Sequence, residues 1–233
     1  MHEIVMSGPG KNSLGTPMMD FLLAELDRAA GAPVLLRGEG DAFSAGLNLK
    51  EVASLDRDGM RTFLIKLERV MSRLFDYPGP TVASVNGHAI AGGCILALCC
   101  DHRVSAASPK LKIGVNEVAL GLRFPPATLS IVRSRIPERW QHETILFAGL
   151  FDPARALALG LVDEVHGDPL PVAKAQLERL AALPPAAYAA TKSDLRHGVT
   201  TVSNAAQRHF LDETVPIWTS EELKQRLRAA LAR

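Results

Sequence analysis

Residues 81–106, TVASVNGHAIAGGCILALCCDHRVSA, constrain the fold more than any other stretch of this chain. Thr81-Val82-Ala83-Ser84-Val85 predicts a strand, Asn86-Gly87 a turn, and residues 102–106 a second strand. Between them Gly92-Gly93 opens an apolar run to Cys100, which predicts a buried helix. Strand, loop and helix in that order, repeated along the chain, favour an α/β fold with parallel pairing. The same helix start matters chemically. Its first N–H groups have no intrahelical partner and lie at the positive end of the helix dipole. They are a natural seat for a developing negative oxygen. Ile95 stands in the first turn, close to the same face, and cannot ionise. A site there is expected to be poor in acid–base groups.

The rest of the chain fits the same pattern. Short strands are expected at 2–6 and 33–37, with an amphipathic helix over 17–30 that puts Met18, Phe21, Leu22 and Leu26 on one side. Residues 38–50 read as a loop of glycines and small residues. A long helix over 57–76 carries Met60, Phe63, Leu64, Leu67, Val70, Met71 and Leu74 at helical spacing, and Pro78 and Pro80 end it. Beyond about 126 the chain reads as mostly helical: 126–135, 138–148, 153–159, 170–183, 185–197, 202–214 and 220–232. A short strand at 160–165 interrupts the series, and Thr219-Ser220-Glu221-Glu222 offers a capping box to the last helix. Pro184-Pro185 marks the boundary between a core, 1–183, and a helical region, 184–233, expected to pack on a neighbouring subunit.

Charge and composition exclude several classes. Lys and Arg number 26 against 25 Asp and Glu, so there is no electrostatic case for nucleic acid. No run of 18 apolar residues predicts a membrane span. The first residues lack a secretory pattern and Ala-Leu-Ala-Arg is not a peroxisomal signal of the Ser-Lys-Leu type, so the cytoplasm is the expected compartment. Cys94, Cys99 and Cys100 share one apolar segment, which suits reduced, buried thiols. Their spacing is not that of a zinc site, and no metal is expected.

Two loops and one acid carry the chemistry. In GEGDAFSAGLNLKE, residues 38–51, the Ala45-Gly46 pair lets another molecule approach the backbone. A plain strand-to-helix turn is the simpler reading of that loop alone. Beside Ala91-Gly92-Gly93, the two loops can aim separate N–H groups at one carbonyl oxygen. The early GPGK, residues 8–11, lacks phosphate-loop spacing and is rejected as one. Glu117 lies among Ile113, Val115, Val118, Ala119 and Leu120. Apolar surroundings disfavour a carboxylate and raise its pKa, which suits proton transfer near neutrality. Spacing alone favours a surface glutamate at an element end. His88 reads as structural or solvent-facing, Asp101 and Arg103 as an ion pair or cap, and Trp140 and Trp218 as packing residues. Arg123 and Lys50 are weaker candidates for a substrate carboxylate and a phosphate.

Taken together, AFSAGLNLKE, ASVNGHAIAGGCILALCCDHRVSAAS, KIGVNEVALGL and FAGLFDPARALALGLVDEV resemble the crotonase (enoyl-CoA hydratase/isomerase) superfamily over residues 33–166, in order and spacing. The opening strand region is shorter than is usual there. The resemblance implies a spiral of ββα units, a helical C-terminal region and a homotrimer or hexamer. It implies backbone N–H donors at Leu47 and Gly92 forming an oxyanion hole. Ala45 and Leu49 would lie along the adenine and pantetheine path of coenzyme A, with Lys50 near its phosphates. Glu117 matches the family's second catalytic glutamate, whereas the first falls at Ile95, where this chain departs. The single-glutamate pattern is similar to Δ3,Δ2-enoyl-CoA isomerases, particularly the mitochondrial type. An acyl-CoA thioester would be the substrate, with no metal or redox cofactor required. Two alternatives stand beside this reading. One is another crotonase reaction (hydration, thioester hydrolysis or decarboxylation) with His88 or Arg123 supplying the missing group. The other is a non-catalytic acyl-CoA-binding or RNA-binding relative.

Overall fold

A computed structural model describes residues 1–231. The chain opens with β1 (His2–Met6), a single turn α1 (Pro9–Asn12) and α2 (Thr16–Ala29). There follow β2 (Val34–Gly38), β3 (Ala42–Ser44), α3 (Leu49–Ser54) and α4 (Arg57–Phe75). Next come β4 (Thr81–Val85), β5 (His88–Ile90), α5 (Gly92–Cys99), β6 (His102–Ala106), β7 (Ile113–Gly114) and α6 (Glu117–Leu120). The remainder is α7 (Pro126–Arg135), α8 (Pro153–Leu159), β8 (Glu164–His166), α9 (Pro169–Ala181), α10 (Pro185–Leu195), α11 (Asn204–Trp218) and α12 (Glu221–Leu231).

Two parallel sheets organise these elements. The larger runs β1-β2-β4-β6-β8 and the smaller β3-β5-β7. Consecutive strands alternate between them: β2 then β3, β4 then β5, β6 then β7. Each pair is followed by helix, so the chain winds as a spiral of ββα units. Parallel strands need such crossovers. The apolar sequence of α5 is buried along its whole length. It packs against α4 and α7, which present Met60, Phe63, Leu64, Leu67, Ile131 and Val132 to the core. Among the described residues no helix is long and apolar enough to cross a membrane.

The C-terminal helices return to their own chain. Asp101, between α5 and β6, accepts from Lys192 Nζ (2.9 Å), Arg196 Nη2 (2.7 Å) and Tyr188 OH (2.8 Å), which tethers α10. Further on, α11 lies on α4 and α12 on α3.

Several local expectations need correction. The loop 38–50 contains β3, and α3 already begins at Leu49. The helix expected over 138–148 is a 3₁₀ turn, Glu138–Trp140, followed by a π-helix, His142–Leu146. There Thr144 donates its hydroxyl back to Trp140 O at 2.8 Å, a side-chain bond that competes with regular helix. The strand at 160–165 starts only at Glu164, because Gly160 ends α8 in left-handed backbone (φ 78°) and Asp163 is drawn to Arg103. Asp101 and Arg103 therefore have different partners rather than each other. In the last helix Ser220, not Thr219, caps the Leu223 amide; Thr219 donates back to Val215 O. Phe21 is 37% exposed, outside the buried stripe of α2.

Candidate active site

Three loops leave the carboxyl ends of the small sheet. In order of the sheet they are Ala45-Gly46-Leu47 after β3, Ala91-Gly92 after β5, and Val115-Asn116-Glu117 after β7. Open parallel sheets place ligands outside this edge. Neighbouring strands are about 5 Å apart, so the middle loop is flanked closely by the other two. Topology therefore gathers Leu47, Gly92 and Glu117, which lie 70 residues apart in the sequence.

The Leu47 amide is left free by a strand-like bridge. Leu14 pairs with Leu47 in parallel fashion. The Leu14 amide donates to Gly46 O (2.7 Å) and the Asn48 amide donates to Leu14 O (3.0 Å). In such a bridge Leu14 uses both neighbours of Leu47, so the N–H of Leu47 itself faces away. It has no acceptor among the described residues. Gly92 is the first residue of α5, where an amide lacks an intrahelical partner. The sharp turn into α5 is carried by Ala91, a non-glycine residue with φ 50° and ψ −124°. Its amide donates to Gly114 O at 2.8 Å, tying this loop to β7.

Two glycines permit the approach of the loops. A Cβ on Gly46 would stand 2.6 Å from Ile90 O and 3.4 Å from the Gly92 nitrogen, and φ is +86°. A Cβ on Gly93 would stand 2.2 Å from Ser44 O. No other residue fits either position without displacing backbone.

Glu117 opens α6 and is 6% exposed. Its Oε2 is buried with no hydrogen-bond partner among the described residues. Burial pushes its pKa up to about 8, opposed only by its own backbone amide. No charged side chain offsets or adds to that shift. The Cys94 thiol, on the first turn of α5, is pushed up to about 12 by burial and then by the nearby Glu117 charge. Ile95 lies in that turn, 2% exposed. Glu117 is thus a buried acid with no charged partner among the described residues.

The other candidates scatter. Ala45 and Leu49 are half-buried in the first loop and at the start of α3; the Ala45 amide is already used by Lys11 O (3.0 Å). Lys50 is exposed and has no ion-pair partner among the described residues. Arg123 sits on the surface, paired to Glu213 Oε2 at 2.6 Å and stacked over Phe210 at 5.5 Å. His88 Nδ1 accepts from the Lys112 amide at 3.1 Å. Neither supplies a second ionisable group acting on Glu117. Sequence reasoning missed the segment Gly8–Gly15, which underlies the first loop. Its one signal was the glycine–proline–glycine–lysine–asparagine run, residues suited to turns and left-handed backbone.

Alternating parallel strands, two unpaired amides and one buried acid define a protein of the crotonase class. The match to relatives agrees. A family model described as enoyl-CoA hydratase/isomerase covers residues 1–225, and the chain belongs to that family. A putative enoyl-CoA hydratase of Thermus thermophilus is 36% identical over 192 residues, 78% of this chain and 74% of that protein. The mitochondrial enoyl-CoA delta isomerase 1 of Mus musculus is 33% identical over 165 residues, 69% of this chain. That match spans 57% of the mouse protein's length. The crystal structure of human mitochondrial delta3-delta2-enoyl-CoA isomerase superposes with a TM-score of 0.92 at 26% identity, covering 100% of this chain and 93% of the other. The relatives thus include both hydratases and isomerases, some of them mitochondrial.

Proposed function

We propose that this protein is a Δ3,Δ2-enoyl-CoA isomerase that uses Glu117 as its single acid–base group. The observation that carries this reading is the buried Glu117 with no charged partner, together with an isoleucine, Ile95, in the first turn of α5. Hydration requires a water held and activated between groups that can exchange protons with it. An isomerisation requires only one group that takes a proton and gives it back.

The thioester oxygen of a 3-enoyl-CoA accepts from the N–H groups of Leu47 and Gly92. The Glu117 carboxylate removes a proton from C2. The electron pair of the broken C2–H bond spreads through the thioester and the C3=C4 bond as a dienolate, its charge on the oxygen held by the two amides. One such donor is worth about 3–4 kcal/mol in a transition state. The protonated Glu117 then delivers its proton to C4. The C1 carbonyl re-forms and the double bond comes to rest between C2 and C3. Atoms and electrons balance with one proton relayed, so the step calls for no metal or redox partner. Ile95 helps by keeping water from the dienolate.

Ala45, Leu47, Leu49 and Lys50 are the proposed contacts to coenzyme A, with Lys50 meeting its phosphates. A homotrimer or hexamer is the proposed assembly. The exposed Phe147 (75%) and Leu195 (81%) suit surfaces covered by a neighbour. Three buried free cysteines suit a reducing compartment, which we take as the cytoplasm.

The experiment is turnover by Glu117→Gln. The reading expects folded protein that binds acyl-CoA and has lost nearly all isomerisation. Wild-type turnover in that variant would remove Glu117 from its role.

A further inference from the structure

A buried polar cluster around Asn12 takes no part in the reaction just described, yet it touches the first loop at every turn. Gly10, Lys11 and Asn12 are consecutive left-handed residues, with φ of 66°, 59° and 59°. Such backbone is costly for residues other than glycine and persists only where the surroundings impose it. Asn12 imposes it. It is 4% exposed, and its Nδ2 donates to Glu39 O and Ala42 O, both at 2.9 Å. Its Oδ1 accepts from the Gly8 amide at 3.2 Å.

The strap so formed takes up the polar backbone of the first loop. Lys11 O accepts from the Ala45 amide at 3.0 Å. The Ser44 hydroxyl donates to Asn12 O at 2.8 Å and accepts from the Gly46 amide at 3.3 Å. Leu14 O accepts from the Asn48 amide at 3.0 Å. The amides of Ala45, Gly46 and Asn48 are all held; that of Leu47 alone is left to point outward. A donor in an oxyanion hole is useful only when fixed before the charge develops.

We propose that Asn12 is a positioning residue: by locking the left-handed strap under Ala45–Asn48, it aims the Leu47 N–H at the thioester oxygen. The proposal rests on the isomerase reading above. Glu117 is on another loop, and no hydrogen bond joins it to the strap among the described residues.

Asn12→Gly tests it, because glycine keeps the left-handed backbone and removes only the clasp. Ser44→Ala is a milder second variant that keeps the fold if the first does not. Isomerisation of 3-enoyl-CoA gives kcat and KM. A bound aryl-conjugated 2-enoyl-CoA reports carbonyl polarisation by the red shift of its absorption band. We expect kcat to fall about 10- to 100-fold in Asn12→Gly and several-fold in Ser44→Ala, with KM changed by less than about threefold. The red shift should shrink in both, and the pH profile set by Glu117 should stay in place. Folded variants that keep kcat and the full red shift overturn the proposal, as does a loss confined to KM. A wild-type protein that isomerises no 3-enoyl-CoA defeats the functional reading instead. In that event the probe still decides the role of Asn12: a red shift lost in the variant supports it, and a red shift retained refutes it.

Discussion

Glu117→Gln should make the protein more stable as well as inactive, and the gain should depend on pH in a defined way. The folded chain holds the Glu117 proton up to about pH 8, whereas an unfolded glutamate releases it near 4.5. Between those values the folded state binds more protons than the unfolded one. Stability therefore falls as pH rises, by as much as about 1.4 kcal/mol per pH unit from this group alone. The contribution is fully present below pH 4.5 and lost once pH has passed 8. Glutamine occupies the same volume and never ionises. Its advantage over glutamate should be near zero at pH 4.5, about 3 kcal/mol at pH 7, and about 4–5 kcal/mol above pH 8.5. Urea unfolding of both proteins at one-unit steps from pH 5 to 9 gives the difference directly, since all other titrating groups cancel. Two parallel stability curves would refute the argument, because they would mean that the carboxyl is already solvated or paired. A variant that gains stability while losing turnover marks a group kept for chemistry at the expense of the fold.

Other consequences follow from the same geometry. The kcat/KM of isomerisation should rise with pH along a single ascending limb centred near 8, because the free enzyme must shed the Glu117 proton to act; a flat profile from pH 6 to 9 would contradict it. Ile95→Glu should cost about 3–5 kcal/mol in denaturant unfolding, since it buries a second acid with no partner, and should admit water so that 2-enoyl-CoA gains measurable hydration. Gly93→Ala should destabilise the fold by roughly 1–3 kcal/mol in the same assay, as its Cβ would stand 2.2 Å from Ser44 O. Asp101→Ala should cost about 3–5 kcal/mol and loosen α10 in hydrogen exchange, because Lys192 and Arg196 would be left buried without their carboxylate.

Long elements with a clear period were legible in the sequence. The stripe from Met60 to Leu74 gave α4 almost to the residue, and Thr81–Val85 and residues 102–106 gave β4 and β6. The small sheet was not legible. Its strands hold three, three and two residues, too short for any alternation to emerge, and their pairing is set by the spiral rather than by local preference. Yet this sheet is what brings the site together. Glu117 could be picked out because its neighbours are apolar, although only the fold turns it inward and leaves Oε2 without a partner. In the strap at Gly8–Gly15 the sequence offers only GPGK, residues 8–11, which fails as a phosphate loop. The strap's role depends on Asn12 meeting Glu39, Ala42 and Ser44 across some thirty residues, a contact no local pattern announces.

The central claim is that one buried carboxyl, facing two fixed amides, moves a proton within the substrate and adds nothing to it. Incubating the purified protein separately with 3-enoyl-CoA and 2-enoyl-CoA of several chain lengths, and following mass together with conjugated absorbance, tests this most directly. The 3-enoyl-CoA should become conjugated at unchanged mass, while the 2-enoyl-CoA should gain water slowly if at all. Rapid addition of the mass of water to the 2-enoyl-CoA, with no conversion of the 3-enoyl-CoA, would contradict the account.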